Sequence, residues 1–308
     1  MDKILDFIHQ FAARSVGADP LYWGDIEMMT GWEEWDDTFK NLLLHMDWYS
    51  VFLVAGSALL WTAVYVCVVV LAHKDHAPAM PWFCLCMNFS WEFQFCFLVP
   101  YPEPLTRMGI IPWVFIDAIM FYLDMRYAKM WYATRFKGYE WTYYPVRLGV
   151  FALMFMVVLA VNPQWPAMPI GAGFTAFAMN AIMSILFCIH LFSRETVEGT
   201  SIWIGICKFL GTFFPALLGV HWHMGRPMLM ISACAIICMV FDLIYIYLIY
   251  RRYVSYGLNP FNRKPLKGKE ELGEKTLAAI ADYKARSGAY KLKKRSECEL
   301  EVKFPENV

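Results

Sequence analysis

No charge of one sign dominates this chain: 27 Lys and Arg residues balance 27 Asp and Glu. A neutral chain whose basic residues fall only in short loops and the tail offers no case for a nucleic-acid partner. Motifs of phosphate and metal chemistry are also missing. There is no Gly-rich phosphate loop, no His/Cys metal cluster and no Asp-Asp-x-x-Asp for magnesium-bound diphosphate; Asp36-Asp37 is followed by Thr-Phe-Lys. An Asp-x-Asp-Asp acid motif is absent too. No metal or other cofactor is therefore expected, nor ionisation of a diphosphate as a first step. Asp2, Asp6 and Arg14 interrupt the N-terminus where a signal peptide would carry an unbroken apolar core. No internal repeat or low-complexity run is visible.

Apolar side chains are abundant instead. Hydrophobic residues make up 59% of 308, aromatics 18%, and the mean hydropathy is +0.40, which places the chain among integral membrane proteins. Eight of the nine cysteines (such as Cys84, Cys86 and Cys238) lie inside apolar runs and read as small reduced hydrophobes. The hydropathy pattern predicts an all-α fold, a bundle of seven transmembrane helices, over residues 48–72, 81–99, 108–125, 145–162, 170–192, 201–220 and 228–250. Asp117 and Lys208 interrupt the third and sixth of these.

The chain thus divides into an N-terminal segment (1–46), a membrane domain (47–250) and a basic tail (251–308). The first segment contains a short amphipathic pattern (Ile4, Leu5, Ile8, Phe11) and an acidic, tryptophan-rich stretch from Trp23 to Trp35. The tail contains a helical pattern around Glu270–Arg286. Lys and Arg crowd the loops on the tail's side (Lys74, Arg126, Arg135, Lys137, Arg194, Arg251), whereas the other side has few. The tail is therefore expected in the cytosol and the N-terminus in the lumen or outside. The membrane is the endoplasmic reticulum in a eukaryote and the cytoplasmic membrane in a bacterium.

Within this apolar sequence two carboxylates stand out, Glu92 in the second span and Asp242 in the seventh. A carboxylate in hydrocarbon costs several kcal/mol unless paired or protonated, so such residues are functional candidates first. At about 1.5 Å per residue, Glu92, Asp242, Asp117, Asn180 and Lys208 all fall about 10–18 Å from the cytosolic ends of their spans. One internal polar site is expected. Asn88, Trp91, Glu92 and Phe95 share a face of the second span, Trp113 and Asp117 one of the third, and Cys238, Asp242 and Tyr245 one of the seventh. A protonated acid in a dry aromatic cavity is a positioned general acid. Ring faces stabilise a carbocation, and exclusion of water keeps it from being quenched. Those are the requirements of a proton-initiated cyclase of polyenes.

Asn88-Phe-Ser-Trp-Glu92 and Phe241-Asp-Leu-Ile-Tyr245 resemble the two acidic motifs of the small transmembrane terpene cyclases of fungal meroterpenoid and indole-diterpene biosynthesis, which have bacterial relatives. Between them, Trp113-x-x-x-Asp117, Ser193-Arg194, Gly199-x-Ser201-x-Trp203 and Gly211-Thr212 extend the resemblance over roughly residues 48–252. It implies a seven-helix cyclase that protonates the terminal epoxide, or an alkene, of a prenylated aromatic or indole, its substrate being farnesyl-derived. The family's essential acidic pair maps onto Glu92 and Asp242, one donating the proton and the other supporting it. Lys208 stands where the resemblance leads one to expect arginine.

Blander readings exist beside these. Asp117 also fits a structural partner of Lys208. Asp124, beside Arg126, reads as interfacial, and Trp131, Tyr132, Trp141, Tyr143 and Tyr144 read as an aromatic belt. His221 and His223 read as surface, and His190 as a helix-end histidine. A proton-coupled small-molecule transporter would use the same intramembrane acids, although no inverted repeat supports it. Substrate identity, ring number and oligomeric state are not written in the chain.

Overall fold

The computed structural model describes residues 47–98, 104–161, 168–194, 196–221 and 227–301. The N-terminal amphipathic and tryptophan-rich patterns, and the side chains of His221 and His223, lie outside the described residues. The fold is all-helical, and the described residues form no strand beyond one isolated bridge, Leu258 with Pro265.

Among the described residues nine α-helices run in order: α1 (Trp48–Asp75), α2 (Trp82–Phe93), α3 (Pro104–Arg135), α4 (Tyr143–Val161), α5 (Met168–Phe192), α6 (Ile202–His221), α7 (Pro227–Ser255), α8 (Glu270–Ala289) and α9 (Arg295–Glu301). A π-helical segment (Gln94–Leu98) continues α2, and a 3-10 turn (Glu140–Thr142) leads into α4. Helices thus occupy each of the seven expected segments. Four of them (α1, α4 with its lead-in, α5 and α7) are long and apolar enough to cross a membrane by length and composition.

Local chemistry sets the ends. Asp47 caps α1 by accepting from Ser50 N at 2.8 Å. His73 and Lys74 lie in its last turn, where the helix dipole favours positive charge, and His76 stops it in the left-handed conformation (φ 49°). The second segment departs from the expected unbroken span. Its α-helix lasts 12 residues before the π turn, where Gln94 Nε2 donates to Phe155 O of α4 at 2.8 Å. A side chain tied to the neighbouring helix is one way to hold such a turn, and π turns recur at functional sites.

Packing places the polar residues inside. α1 lies against α3 and α6, α3 against α2, α2 against α5, α5 against α7, and α7 against α6. Those contacts close a ring of six helices, with α4 packed outside on α2. The ring's outer surface is apolar: Phe115, Leu153, Ile189, Ile236 and Leu243 are all exposed. Glu92, Asp117, Lys208 and Asp242 are buried within it. This inverted distribution suits hydrocarbon as the solvent.

The tail folds back onto the ring rather than hanging from it. α8 packs on α3 and α1. Arg263 donates to both Asp75 oxygens, at 3.1 and 2.8 Å, and to Val197 O at 3.0 Å. Gly199 N completes Asp75's partners at 2.8 Å. Gly199 has φ +63°, and a Cβ there would meet Pro78 O at 2.5 Å, so glycine is required.

Two expectations change at this end of the bundle. Asp124 does not face solvent beside Arg126: it is buried and ion-paired with Arg147 of α4, whose guanidinium lies over Trp82. Arg126 is instead bonded to Tyr122 at the surface. Tyr132 and Tyr143 are core rather than belt, with Tyr143 OH donating to Met125 O at 2.9 Å; Trp141 and Tyr144 do stay exposed. A phenol can bury its ring once its hydroxyl finds a carbonyl. His190 sits in the last turn of α5, half-buried, facing Pro78 O and Arg194.

Candidate active site

Four buried polar side chains meet where α1, α2 and α3 converge. Tyr65 OH donates to Glu92 Oε1 at 2.5 Å. Asn88 Nδ2 lies 2.8 Å from Tyr65 OH, 3.1 Å from Glu92 Oε1 and 2.9 Å from Asp117 Oδ2. Asn88 and Glu92 are one helical turn apart, which brings both to one face. Asn88 has two N–H groups for three acceptors, so the cluster has more acceptors than this donor can fill. The Glu92 and Asp117 carboxyls are bridged by Asn88 Nδ2. No donor from another residue reaches Glu92 Oε2 or Asp117 Oδ1.

A cavity of about 100 Å³ opens above this cluster. Its walls are aromatic: Trp61 and Tyr65 from α1, Trp91 from α2 and Trp113 from α3. Glu92, Asn88 and Asn180 supply its polar surface, with Ala176 and Met179 of α5 closing the far side. The rings are fixed by their own contacts. Trp113 Nε1 donates to Thr62 Oγ1 and Trp91 Nε1 to Thr175 Oγ1, both at 2.9 Å. Tyr65 meets Trp113 edge-on at 5.7 Å. Trp61 lies against the α6 backbone at Gly211, where a Cβ would come within 3.0 Å of the indole. Glycine in the Gly211-Thr212 motif thereby sets a cavity wall. Asn180 Oδ1 is buried and takes no hydrogen bond from the protein.

A second buried cluster lies across Trp61. Lys208 Nζ of α6 donates to both oxygens of Asp242, at 2.9 and 3.0 Å, and to Ser184 Oγ at 2.5 Å. The same ammonium is 5.9 Å from the Trp61 ring centre. Lys208 therefore partners Asp242, not Asp117. Asp242 and Tyr245 do not line the cavity beneath Glu92; their face of α7 packs on α5 and α6, with Tyr245 against Phe187 at 5.5 Å. Phe95 does not line it either. It falls beyond the end of the regular α-helix, in the π segment, and is buried with its ring 4.7 Å from Trp91. The structure thus gathers Asn88, Trp91, Glu92, Trp113 and Asn180 around one void and puts Asp117 behind it. Asp242 stands one aromatic ring away. Tyr65 and Trp61 join the site unforeseen; their signal was an aromatic pair at i, i+4 in α1, with the only hydroxyl ring at mid-helix. Among the described residues no three His, Cys, Asp or Glu side chains come together as metal ligands.

Buried acids and a cage of indoles thus meet inside an all-helical membrane protein. The chain belongs to the Pyr4-like transmembrane terpene cyclases, whose family model matches residues 35–253. It is 25% identical over 183 residues to the Pyr4-family terpene cyclase mfmH of Annulohypoxylon moriforme, covering 57% of this chain and 72% of that one. It is 26% identical over 216 residues to the terpene cyclase macJ of Penicillium terrestre, covering 63% and 79%. To the terpene cyclase pyr4 of Aspergillus fumigatus it is 22% identical over 208 residues, covering 63% and 81%. No solved structure matches it.

Proposed function

We propose that this protein is a terpene cyclase that starts cyclisation by protonating the terminal epoxide, or an alkene, of a prenylated aromatic or indole, with Glu92 as the proton donor. The observation that carries this reading is the placement of Glu92: it lines the aromatic cavity while Asn88 bridges its carboxyl to that of Asp117. The only basic side chain in the adjoining cluster, Lys208, is occupied by Asp242. Two buried carboxyls bridged by one amide, with no cation beside either among the described residues, do not both ionise, which leaves Glu92 a proton to give.

The reaction follows from that arrangement. Glu92 passes its proton to the epoxide oxygen; the C–O bond to the more substituted carbon breaks as the neighbouring double bond attacks, leaving the cation one ring further on. Trp61, Trp91 and Trp113 face that cation, each able to stabilise it by about 0.5–2 kcal/mol. Tyr65 and Asn88 hold the carboxylate that remains. Loss of a proton, or capture by the substrate's own oxygen, ends the sequence and leaves no net change of atoms. Asp242 acts in support, holding Lys208 charged behind Trp61. Asn180 is a polar contact for the substrate.

In this reading all seven helices α1–α7 cross the bilayer, with the tail cytosolic and the N-terminus lumenal or outside. Purified protein in detergent, without added metal or nucleotide, is expected to cyclise a farnesylated phenol epoxide. Glu92→Gln is expected to abolish turnover while keeping the wild-type elution profile. Full turnover by that variant, or loss of wild-type turnover on treatment with a chelator, overturns the mechanism.

A further inference from the structure

A second cavity adjoins the first. It has a volume of about 150 Å³ and lies between α2, α4 and α5. Trp91 and Met179 belong to the walls of both, so these two side chains are the partition between them. The second chamber's character is different. Met87, Met154, Val158, Phe174, Ala178 and Ile182 line it, and the hydroxyl of Thr175 is the one polar side-chain group in its wall. That hydroxyl is already engaged by Trp91 Nε1. Its mouth faces outward, since Val157, Val161 and Ile182 are exposed on the lipid side of α4 and α5. Both helices pack on α2.

The chamber beneath Glu92 is too small for a prenylated substrate on its own. Ligand sites for organic molecules usually run from about 300 Å³ upward. Trp91 is held by one indole hydrogen bond and by its contact with Phe95, and its neighbours Met87, Met154 and Met179 are unbranched side chains that adapt to new shapes and let the ring shift.

On the cyclase reading above, we infer that the apolar chamber is a chain-length subsite: it takes the isoprene units furthest from the end that Glu92 protonates, and Trp91 is the movable wall through which the substrate joins the two. An isoprenoid is the occupant that the lining selects, because the wall offers no free donor or acceptor to a polar group. The lipid-facing mouth gives such a chain a way in from the bilayer.

The test compares turnover of two epoxidised substrates that share a head group and differ by one isoprene unit. Ala178→Phe fills the chamber and is expected to lower the ratio of kcat/KM for the longer over the shorter by about 10-fold or more, the scale on which a pocket registers even single methylene groups. Met154→Ala enlarges it and is expected to raise that ratio. If Ala178→Phe does not fold, Met154→Ala decides alone. An unchanged ratio in the folded variants overturns the subsite. Glu92→Gln is run alongside: turnover by it sinks the acid assignment, whereas acid-dependent turnover with unchanged ratios sinks only the subsite. An acyl lipid as the occupant would show as the same unchanged ratio.

Discussion

The Tyr65 hydroxyl donates to Glu92 Oε1 at 2.5 Å. This contact joins α1 to α2 at the cavity floor and gains strength as Glu92 gives up its proton. Tyr65→Phe keeps the ring and its edge-on contact with Trp113 but removes the donor. We expect kcat to fall about 10- to 100-fold, matching the ~1.5–3 kcal/mol of a bond to a charged group, with KM little changed. Steady-state kinetics checks this; a raised KM with kcat unchanged would mean that the hydroxyl serves binding instead.

Asp242 and Lys208 make a different prediction, because each is the other's charge partner. Asp242→Asn leaves a buried ammonium uncompensated and is expected to destabilise the protein by about 3–5 kcal/mol. Thermal unfolding in detergent would register it as a lower midpoint. Replacing both, Lys208→Met with Asp242→Leu, is expected to restore most of that loss, since an apolar pair of similar volume avoids the desolvation cost. A folded but inactive double variant assigns the ion pair's field to turnover. A folded and active one makes the pair purely structural and removes Asp242 from the mechanism.

How far the sequence foretold these arrangements depends on which physical quantity each needs. Glu92 and Asp117 stood out because a charge in an apolar run must face inward, and one-dimensional depth already put both on one level. Depth does not fix rotation about the helix axis. For that reason nothing in the chain told that Lys208 would meet Asp242 rather than Asp117. Trp61 and Tyr65 carry no such penalty when buried, so they look like any aromatic residues in a span. The π turn after Phe93 was equally hidden, and with it the position of Phe95. Helix α8 was legible from its pattern and begins at Glu270 as expected.

Gly199 is where the loop before α6 meets the end of α1. Its positive φ and the nearby Pro78 carbonyl exclude a side chain, while its N–H serves Asp75. Gly199→Ala is expected to cost at least about 1–3 kcal/mol through the strained backbone alone. Because Asp75 also holds Arg263, the same change should loosen the tail. Limited proteolysis between α7 and α8 is expected to run faster in the variant than in the wild type. An unchanged cleavage rate would show that the tail is held without Asp75.

The tail's other anchor titrates. His76 stacks on Tyr127 with ring centres 4.3 Å apart, and its Nδ1 faces Lys284 O of α8 at 3.1 Å. Burial holds this imidazole below its ordinary value near 6.5; the Lys284 carbonyl opposes that shift, while the charges of Lys284, His73 and Arg126 reinforce it. A histidine depressed in the folded state binds fewer protons than in the unfolded one. Its contribution to stability is therefore complete above about pH 6.5 and is lost as the pH falls below that value. Docking of α8 is expected to weaken as the pH falls from about 6.5 to about 5.5, seen as faster proteolysis of residues 256–290 or faster amide exchange there. His76→Phe preserves the stack but cannot titrate, so this pH dependence should disappear in that variant. If it persists, the switch lies in another group at the interface, and the neutral state of His76 is not what holds the tail.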